Sequence, residues 1–294
     1  AVGYESFTAS GILIVVGLII KDFTEKDDKK FLKYLVVSSI VVGLLSFMQP
    51  RLIVTGILLN VFWIITRKGV KASSLVVVIT LVVTLLFPAS LIYRNNQAIG
   101  VNSISSNLGV TMNIGAGDNA TGGYMTKGFG VPCSPIGTES EKDIQSVRCV
   151  FSWYLENPNK TLSLFYNKTV YFWSPWINNG FAGDVITGTM FRNPWLKISP
   201  LTSIAKSQDG ANLISSPTGK AFSWMWLFGG LAFLLYGYFT LWRQNSLERL
   251  IGNLAMLAVT TNWLIALFTI GDHRFRIPIM GMSLFLQAIG LKTL

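Results

Sequence analysis

Four residues that can bind phosphate or carry a proton occur together near the end of the chain, between Gly271 and Pro278. They are Asp272, His273, Arg274 and Arg276. The guanidinium group of arginine presents a fixed fork of N–H donors that matches phosphate oxygens. The run separates two apolar stretches, and ionisable residues at membrane depth are a functional-site hypothesis by default. The sequence therefore predicts a site for a phosphorylated ligand in this turn.

Two further arginines are expected at the same depth. Arg51 follows Pro50 between two apolar stretches, and Arg94 follows the end of another. Together with Arg274 and Arg276 they would form a cationic surface for an anionic lipid headgroup. The alternative is that these side chains only extend their charged ends to the membrane interface, as arginine and lysine do at many span ends.

A glycine-rich run, residues 115–123 (GAGDNATGG), looks at first like a phosphate-binding loop. It has no Walker lysine and no strand–loop–helix context, so the sequence favours a turn-rich loop that could at most touch a substrate. His273 is the sole histidine, and no zinc-ligand spacing or nucleophile elbow occurs.

The composition indicates a membrane protein. Of 294 residues, 51% are hydrophobic and 13% are charged, whereas soluble domains carry about 25% charged residues. Mean hydropathy is +0.49. The net charge of +10 raises the question of nucleic acid, but lysine and arginine cluster at the ends of apolar stretches, where they anchor and orient a membrane protein. Nucleic acid is therefore not an expected partner.

The apolar stretches predict an all-α polytopic membrane protein with about seven membrane-spanning helices and a large, partly helical external loop. The predicted spans are 7–20, 31–48, 52–66, 72–92, 222–242, 250–270 and a seventh from Ile277. A single helix over residues 31–66 would be ~54 Å long, so Pro50 is expected to mark a tight hairpin. Pro88 is expected to break the fourth span near its end.

Positive charge in the short loops predicts the orientation. Residues 21–33 carry five lysines. The next loops on the same side hold Arg67, Lys68, Lys71, Arg243 and Arg249. That side is expected to be cytoplasmic, which makes the chain a multi-pass protein of the plasma (inner) membrane. The expected division is residues 1–92 as four spans, 93–221 as the external loop domain, and 222–294 as three spans.

The external loop carries two helix signals and the only two cysteines. Thr138 to Glu141 predicts a capping box that opens a helix to about residue 155. Asn157-Pro158 predicts a second helix to Trp173, whose aromatic residues favour the membrane interface over an ordinary core position. Cys133 and Cys149 are expected to form a disulfide on an oxidising side of the membrane, the alternative being two unpaired thiols.

Four groups of short motifs then follow one another along the chain. They are Gly43 to Arg51; Arg94-Asn95 with Asn107-Leu108-Gly109, Asn113-Ile114-Gly115 and Ala120 to Tyr124; Asn157-Pro158 with Lys168 and Phe172-Trp173; and Asp272 to Pro278. Together they resemble bacterial C-class membrane glycosyltransferases, relatives of the protein mannosyltransferases and the aminoarabinose lipid A transferases. The chain differs from that pattern at Gln49, where arginine is usual, and at Gly281, which replaces a proline.

The resemblance implies transfer of a sugar from a polyprenyl-phosphate donor to a lipid, glycan or protein acceptor at the external face. Arg274 and Arg276 would hold the lipid phosphate, supported by Arg51 and Arg94. The substrate loops would supply Asp272, His273, Asn107, Asn113, Asp118, Tyr124 and Lys168. The family's catalytic aspartate lies upstream of the matched region, so we expect this chain, which begins at Ala1, to be the C-terminal portion of a longer polypeptide.

Two other functions fit the same residues. A transporter or flippase of lipid-linked saccharides would use the arginines without chemistry, although the paired repeats of many transporters are not evident. A membrane anchor could present an external binding domain. The sequence identifies no cofactor and leaves a divalent metal open.

Overall fold

The structure, a computed structural model, describes residues 4–68, 74–105, 107–123, 130–173, 217–272 and 275–294. Tyr124, His273 and Arg274, which the sequence predicted to be site residues, lie outside these ranges. In the described part of the chain the regular elements are helices.

In chain order the helices are α1 (Glu5–Glu25), α2 (Asp28–Met48), α3 (Leu52–Lys68), α4 (Ser74–Ile99), α5 (Leu108–Ile114), α6 (Glu139–Glu156), α7 (Pro158–Trp173), α8 (Pro217–Trp242), α9 (Ser246–Phe268) and α10 (Met280–Lys292). A 3₁₀ turn, Ile277–Ile279, precedes α10. Helices α1, α2, α4, α8 and α9 are long and apolar enough to cross a membrane, and α3 and the Ile277–Lys292 segment are shorter apolar helices. The protein is therefore an all-α polytopic membrane protein, as the sequence predicted.

Helix α4 differs from its prediction. We expected a break at Pro88 and an end near Ile92, but the helix continues through a buried Pro88 to Ile99. Membrane helices tolerate proline where neighbouring helices pack against the weakened turn. Gly43 of α2 gives that close packing, because a Cβ there would lie 3.0 Å from the Thr84 carbonyl oxygen. Arg94 is consequently a helical residue rather than the first residue of a loop.

Buried polar side chains connect the membrane helices. The Ser38 hydroxyl of α2 donates to Asn60 Oδ1 of α3 at 2.6 Å. Asn262 Nδ2 of α9 donates to Thr55 Oγ1 of α3 at 2.9 Å. Since hydrocarbon provides no partner for a polar group, such bonds favour one arrangement of the helices. Helix α3 is therefore fixed between α2 and α9, with Arg51 at its first turn.

A charged network closes the opposite, lysine-rich end of the first three helices. Asp22 of α1 is fully buried. It accepts a hydrogen bond from Trp63 Nε1 at 2.9 Å and lies 3.4 Å from Arg67 Nε. Arg67 also reaches Asp28 at 3.2 Å. The charge asymmetry seen in the sequence thus corresponds to two distinct ends of the bundle.

The described part of the loop region, α5 to α7, has its own apolar core of Met112, Val150 and Leu164. Thr138 and Glu141 form the predicted capping box at the start of α6. The aromatic end of α7 is a core feature: Phe172 and Trp173 are buried in the same cluster as the membrane helices. Both sets of contacts show that α7 joins the loop domain to the bundle.

A disulfide joins Cys133 to Cys149 across 16 residues of sequence, with their Cα atoms 6.2 Å apart. It ties the segment after Gly130 to the middle of α6. In the chain-entropy account, closing a loop of this size contributes about 3 kcal/mol by restricting the unfolded chain.

Alkylation of the native protein should therefore leave both cysteines unlabelled, and alkylation after reduction should label both. Because the chain has only two cysteines, intact-mass spectrometry gives the result directly. Two labelled thiols before reduction would show that the bond does not form.

Candidate functional site

Two of the predicted phosphate-binding arginines meet beside the turn between α9 and α10: Arg276 lies in that turn, and Arg51, from the α2–α3 turn, packs against it. The guanidinium carbon of Arg51 lies 3.6 Å from the centre of the Phe275 ring. Its Nε and Nη2 donate to Gln49 Oε1 at 3.2 and 3.0 Å. Arg276, next to Phe275 in sequence, lies with its guanidinium carbon 5.4 Å from the Trp173 ring. Aromatic faces thus hold both cations at one end of the bundle.

Arg276 and Trp173 bring two unsatisfied donors together. Arg276 Nε and Trp173 Nε1 are both buried and have no hydrogen-bond partner within the described residues. Burial lowers the pKa of the Arg276 guanidinium to about 10, so the group is still charged at neutral pH. Buried donors and charges without partners cost free energy. An anion placed against Arg276 would accept from its N–H groups, and its charge would offset that of the arginine.

Arg94 does not join this pair in the described structure. Its side chain is exposed on α4, and its Nη2 donates to the adjacent Asn95 at 3.0 Å. The extension of α4 past Pro88 places it on the outside of the bundle. Of the three predicted arginines that the structure describes, Arg276 and Arg51 pack at one turn, and Arg94 lies exposed on α4.

Lys168 is an internal residue rather than a free substrate contact. Its Nζ, on α7, donates to Tyr154 Oη at 2.9 Å and to the carbonyls of Leu267 and Thr269 at 2.8 and 2.7 Å. The Tyr154 hydroxyl in turn donates to the Phe268 carbonyl at 3.3 Å. A helix leaves its last carbonyls without intrahelical partners, and a cation there also complements the helix dipole. Lys168 therefore caps α9, with its three N–H groups used.

The glycine-rich run, which the sequence favoured as a turn-rich loop over a phosphate-binding one, forms a close backbone contact with the end of α9. The Gly271 N–H donates to the Gly122 carbonyl at 2.9 Å. Gly122 has φ +101°, and a Cβ there would lie 2.9 Å from the Lys168 backbone nitrogen. A Cβ on Gly271 would lie 2.5 Å from Lys168 Cα. Glycine is needed because three backbone segments approach closely between the loop domain and the end of α9.

The remaining predicted loop residues also have identifiable roles. Asn113 Oδ1 accepts from the Val131 N–H at 2.7 Å and so holds the segment after Gly130. The Asn107 carbonyl accepts from the Thr111 hydroxyl at 2.6 Å in the first turn of α5. Asp118 pairs with Lys160 at 2.8 Å on the surface. Asp272 closes the turn, since its carbonyl accepts from the Phe275 N–H at 2.9 Å. Asn107, Asn113 and Asp118 thus bond within the loop domain, whereas Asp272 lies in the same turn as Arg276.

Two residues of this region were not chosen from the sequence. Trp173 appeared there as an interfacial aromatic and in the Phe172-Trp173 motif, with no role in the site, and Tyr154 was not distinguished from other helix residues. The Phe172-Trp173 pair at the end of a helix was the available signal for Trp173. No local pattern marks Tyr154, because its hydroxyl donates to the Phe268 carbonyl, 114 residues away in sequence.

The stability of the protein should depend on pH through Lys168. Burial lowers the pKa of its ammonium group to about 7, from a usual value of 10.5. At a pH between these two pKa values, Lys168 is protonated in the unfolded chain and largely neutral in the folded protein. The unfolded chain therefore binds more protons, and the free energy of unfolding should rise by up to about 1.4 kcal/mol for each pH unit. Thermal unfolding in detergent from pH 7 to 9.5 measures the slope. Lys168→Met should flatten it, and an unchanged slope in that variant would contradict this assignment.

No protein-family model, no curated protein and no solved structure matches this chain. The resemblance to C-class glycosyltransferases therefore stays a prediction, and the functional argument depends on the fold and on the geometry around Arg276.

Proposed function

We propose that this protein binds a polyprenyl-phosphate-linked sugar through the Arg276 site and takes part in transferring that sugar to an acceptor. The observation that carries the proposal is the pair of buried, unsatisfied donors on Arg276 and Trp173, next to the guanidinium of Arg51. Each presents N–H groups or positive charge, which is the chemistry that a phosphate requires.

The position of the site favours a lipid phosphate. Arg51 lies in the α2–α3 turn, directly before α3, and Arg276 directly precedes the 3₁₀ turn that leads into α10. Both residues therefore lie at the ends of apolar helices, the depth at which lipid headgroups meet water. An isoprenoid chain would extend along the apolar helices while its phosphate reached the arginines. A soluble phosphorylated ligand would gain nothing from that placement.

In the proposed reaction an acceptor hydroxyl oxygen bonds to the anomeric carbon of the sugar. The bond from that carbon to the phosphate oxygen breaks, and its electron pair leaves with the polyprenyl phosphate. Arg276 and Arg51 would stabilise the charge that develops on the departing phosphate. The hydroxyl proton goes to a carboxylate base, a role to which no residue of this chain is assigned.

The charge distribution supports an orientation that places the loop domain on the external side of the membrane. The end of the bundle opposite Arg51 carries the lysines of residues 21–33 together with Arg67. Lysine and arginine in short loops mark the cytoplasmic side. The Arg276 site and α5 to α7 would then face the external compartment, where polyprenyl-linked donors and acceptors meet.

Polyprenyl phosphate binding to the protein in nanodiscs tests the site. Arg276→Ala should weaken binding by about ten- to a hundredfold, because it removes charge-assisted hydrogen bonds. Trp173→Phe keeps the ring and removes one N–H, and should weaken binding by about five- to tenfold. Arg243→Ala, an exposed arginine at the other end, is the matched control. Unchanged binding in both site variants would overturn the phosphate site.

The fate of the donor separates an enzyme from a transporter. Membranes carrying the full-length protein should release free polyprenyl phosphate from a sugar-labelled donor, and Arg276→Ala should slow that release by about a hundredfold, as for loss of a preorganised donor. A transporter would instead carry the intact donor across the bilayer. Movement of donor without release of polyprenyl phosphate would contradict the proposed transfer.

A further inference from the structure

The loop domain contains a cleft that the phosphate site does not use. It has a volume of about 710 Å³, within the range of about 300–1,000 Å³ typical of small-molecule sites. We call it the Trp153 cleft. Its lining side chains include Asp118, Asn119, Ser152, Trp153, Glu156 and Asn157.

The aromatic wall of the cleft is fixed in place. Trp153 lies in α6, and its ring packs edge-on against Tyr154 with the ring centres 5.7 Å apart. Tyr154 is itself buried and bonded to the end of α9. The indole also lines a second, smaller cavity of about 170 Å³ with Lys160 and Asn167. Trp153 thus lies between the two cavities and offers an apolar ring face to a bound molecule.

The polar lining is acidic and rich in acceptors. Asp118 and Glu156 supply carboxylates, and Asn119 and Asn157 supply amides. No lysine or arginine is among the described residues that line the larger cavity. Lys160 pairs with Asp118 at 2.8 Å and so orients this carboxylate from the side of the smaller cavity. Because Lys160 offsets the charge of Asp118, Glu156 is the carboxylate without an ion pair among the described residues that an anionic ligand would meet here, whereas hydroxyl groups would find acceptors.

An apolar ring face beside clustered carboxylates and amides suits a molecule that has both hydroxyl groups and a C–H face. A sugar ring has this combination: its hydroxyls donate at the edge, and its C–H groups form an apolar surface. We propose that the Trp153 cleft binds a saccharide without acidic groups. This inference rests on the proposed transfer function, in which the saccharide would belong to the acceptor.

The two sites therefore have opposite charge requirements. The Arg276 site demands an anion, and the Trp153 cleft excludes one. Contacts with α9 position both sites. Trp173 of α7, at the Arg276 site, packs against Trp263, and Tyr154 of α6, beside the Trp153 cleft, donates to the Phe268 carbonyl. This arrangement would keep a lipid phosphate and an uncharged glycan in separate places on one protein.

The test uses the full chain in nanodiscs on a printed array of neutral, amino-bearing and acidic oligosaccharides. Binding is expected to neutral or amino-bearing members. The dissociation constant of the strongest binder should rise about tenfold or more in Trp153→Ala, as expected when an aromatic anchor is removed. Glu156→Gln, a conservative change of an exposed residue, should weaken binding without affecting folding. Trp242→Ala, which removes an exposed indole at the other end of the bundle, is the matched control.

Binding of acidic members alone, of no saccharide, or of saccharides equally well by the parent protein, Trp153→Ala and Glu156→Gln would overturn the inference. The outcome is distinguishable from failure of the proposed function. Trp153→Ala should bind polyprenyl phosphate as the parent protein does, and Arg276→Ala should keep its saccharide binding. Phosphate binding without saccharide binding would reject only the cleft.

Discussion

The carbonyl groups at the C-terminal end of α9 determine how this protein is assembled. Three successive carbonyls, from Leu267 to Thr269, have no partners within their own helix and accept instead from Lys168 and Tyr154. The buried Lys168 amine is tolerated there because its N–H groups donate to two of these carbonyls and to the Tyr154 hydroxyl. This interaction fastens α6 and α7 to the membrane bundle.

The position of the phosphate site follows from that attachment. Trp173 lies just over one turn beyond Lys168 on α7, and its ring packs edge-on against Trp263 of α9, with centres 5.7 Å apart. The chain leaving α9 passes the Gly122–Gly271 contact before reaching Arg276. The proximity of Arg276 to Trp173 is therefore a consequence of how the two helices are capped and packed. Arg51 joins them because α3 packs against α9 through Asn262.

The membrane fold could be predicted well from the sequence because membrane spans depend on local, additive properties of the residues. Length and apolarity located the spans, Pro50 located the hairpin, and Thr138 with Glu141 located the start of α6.

Sequence reasoning failed where a tertiary contact decides the outcome. Pro88 remains helical because α2 packs against it, and Lys168 faces inward because α9 ends beside it. Arg276 was recognisable from its turn, but its partner Trp173 could not be inferred without knowing that α7 meets α9. The glycines of residues 115–123 contributed to the resemblance inferred from the sequence, and their role in the described structure is close packing.

The central claim is that the phosphate of an isoprenoid lipid lies between Arg276, Arg51 and Trp173. Photo-crosslinking with a polyprenyl phosphate that carries its reactive group beside the phosphate tests it most directly, with the labelled peptides identified by mass spectrometry. The account predicts crosslinks to the segments around residues 173, 51 and 276, competed by unlabelled polyprenyl phosphate. Crosslinks confined to α4 or to the lysine-rich end, or insensitive to the competitor, would contradict it.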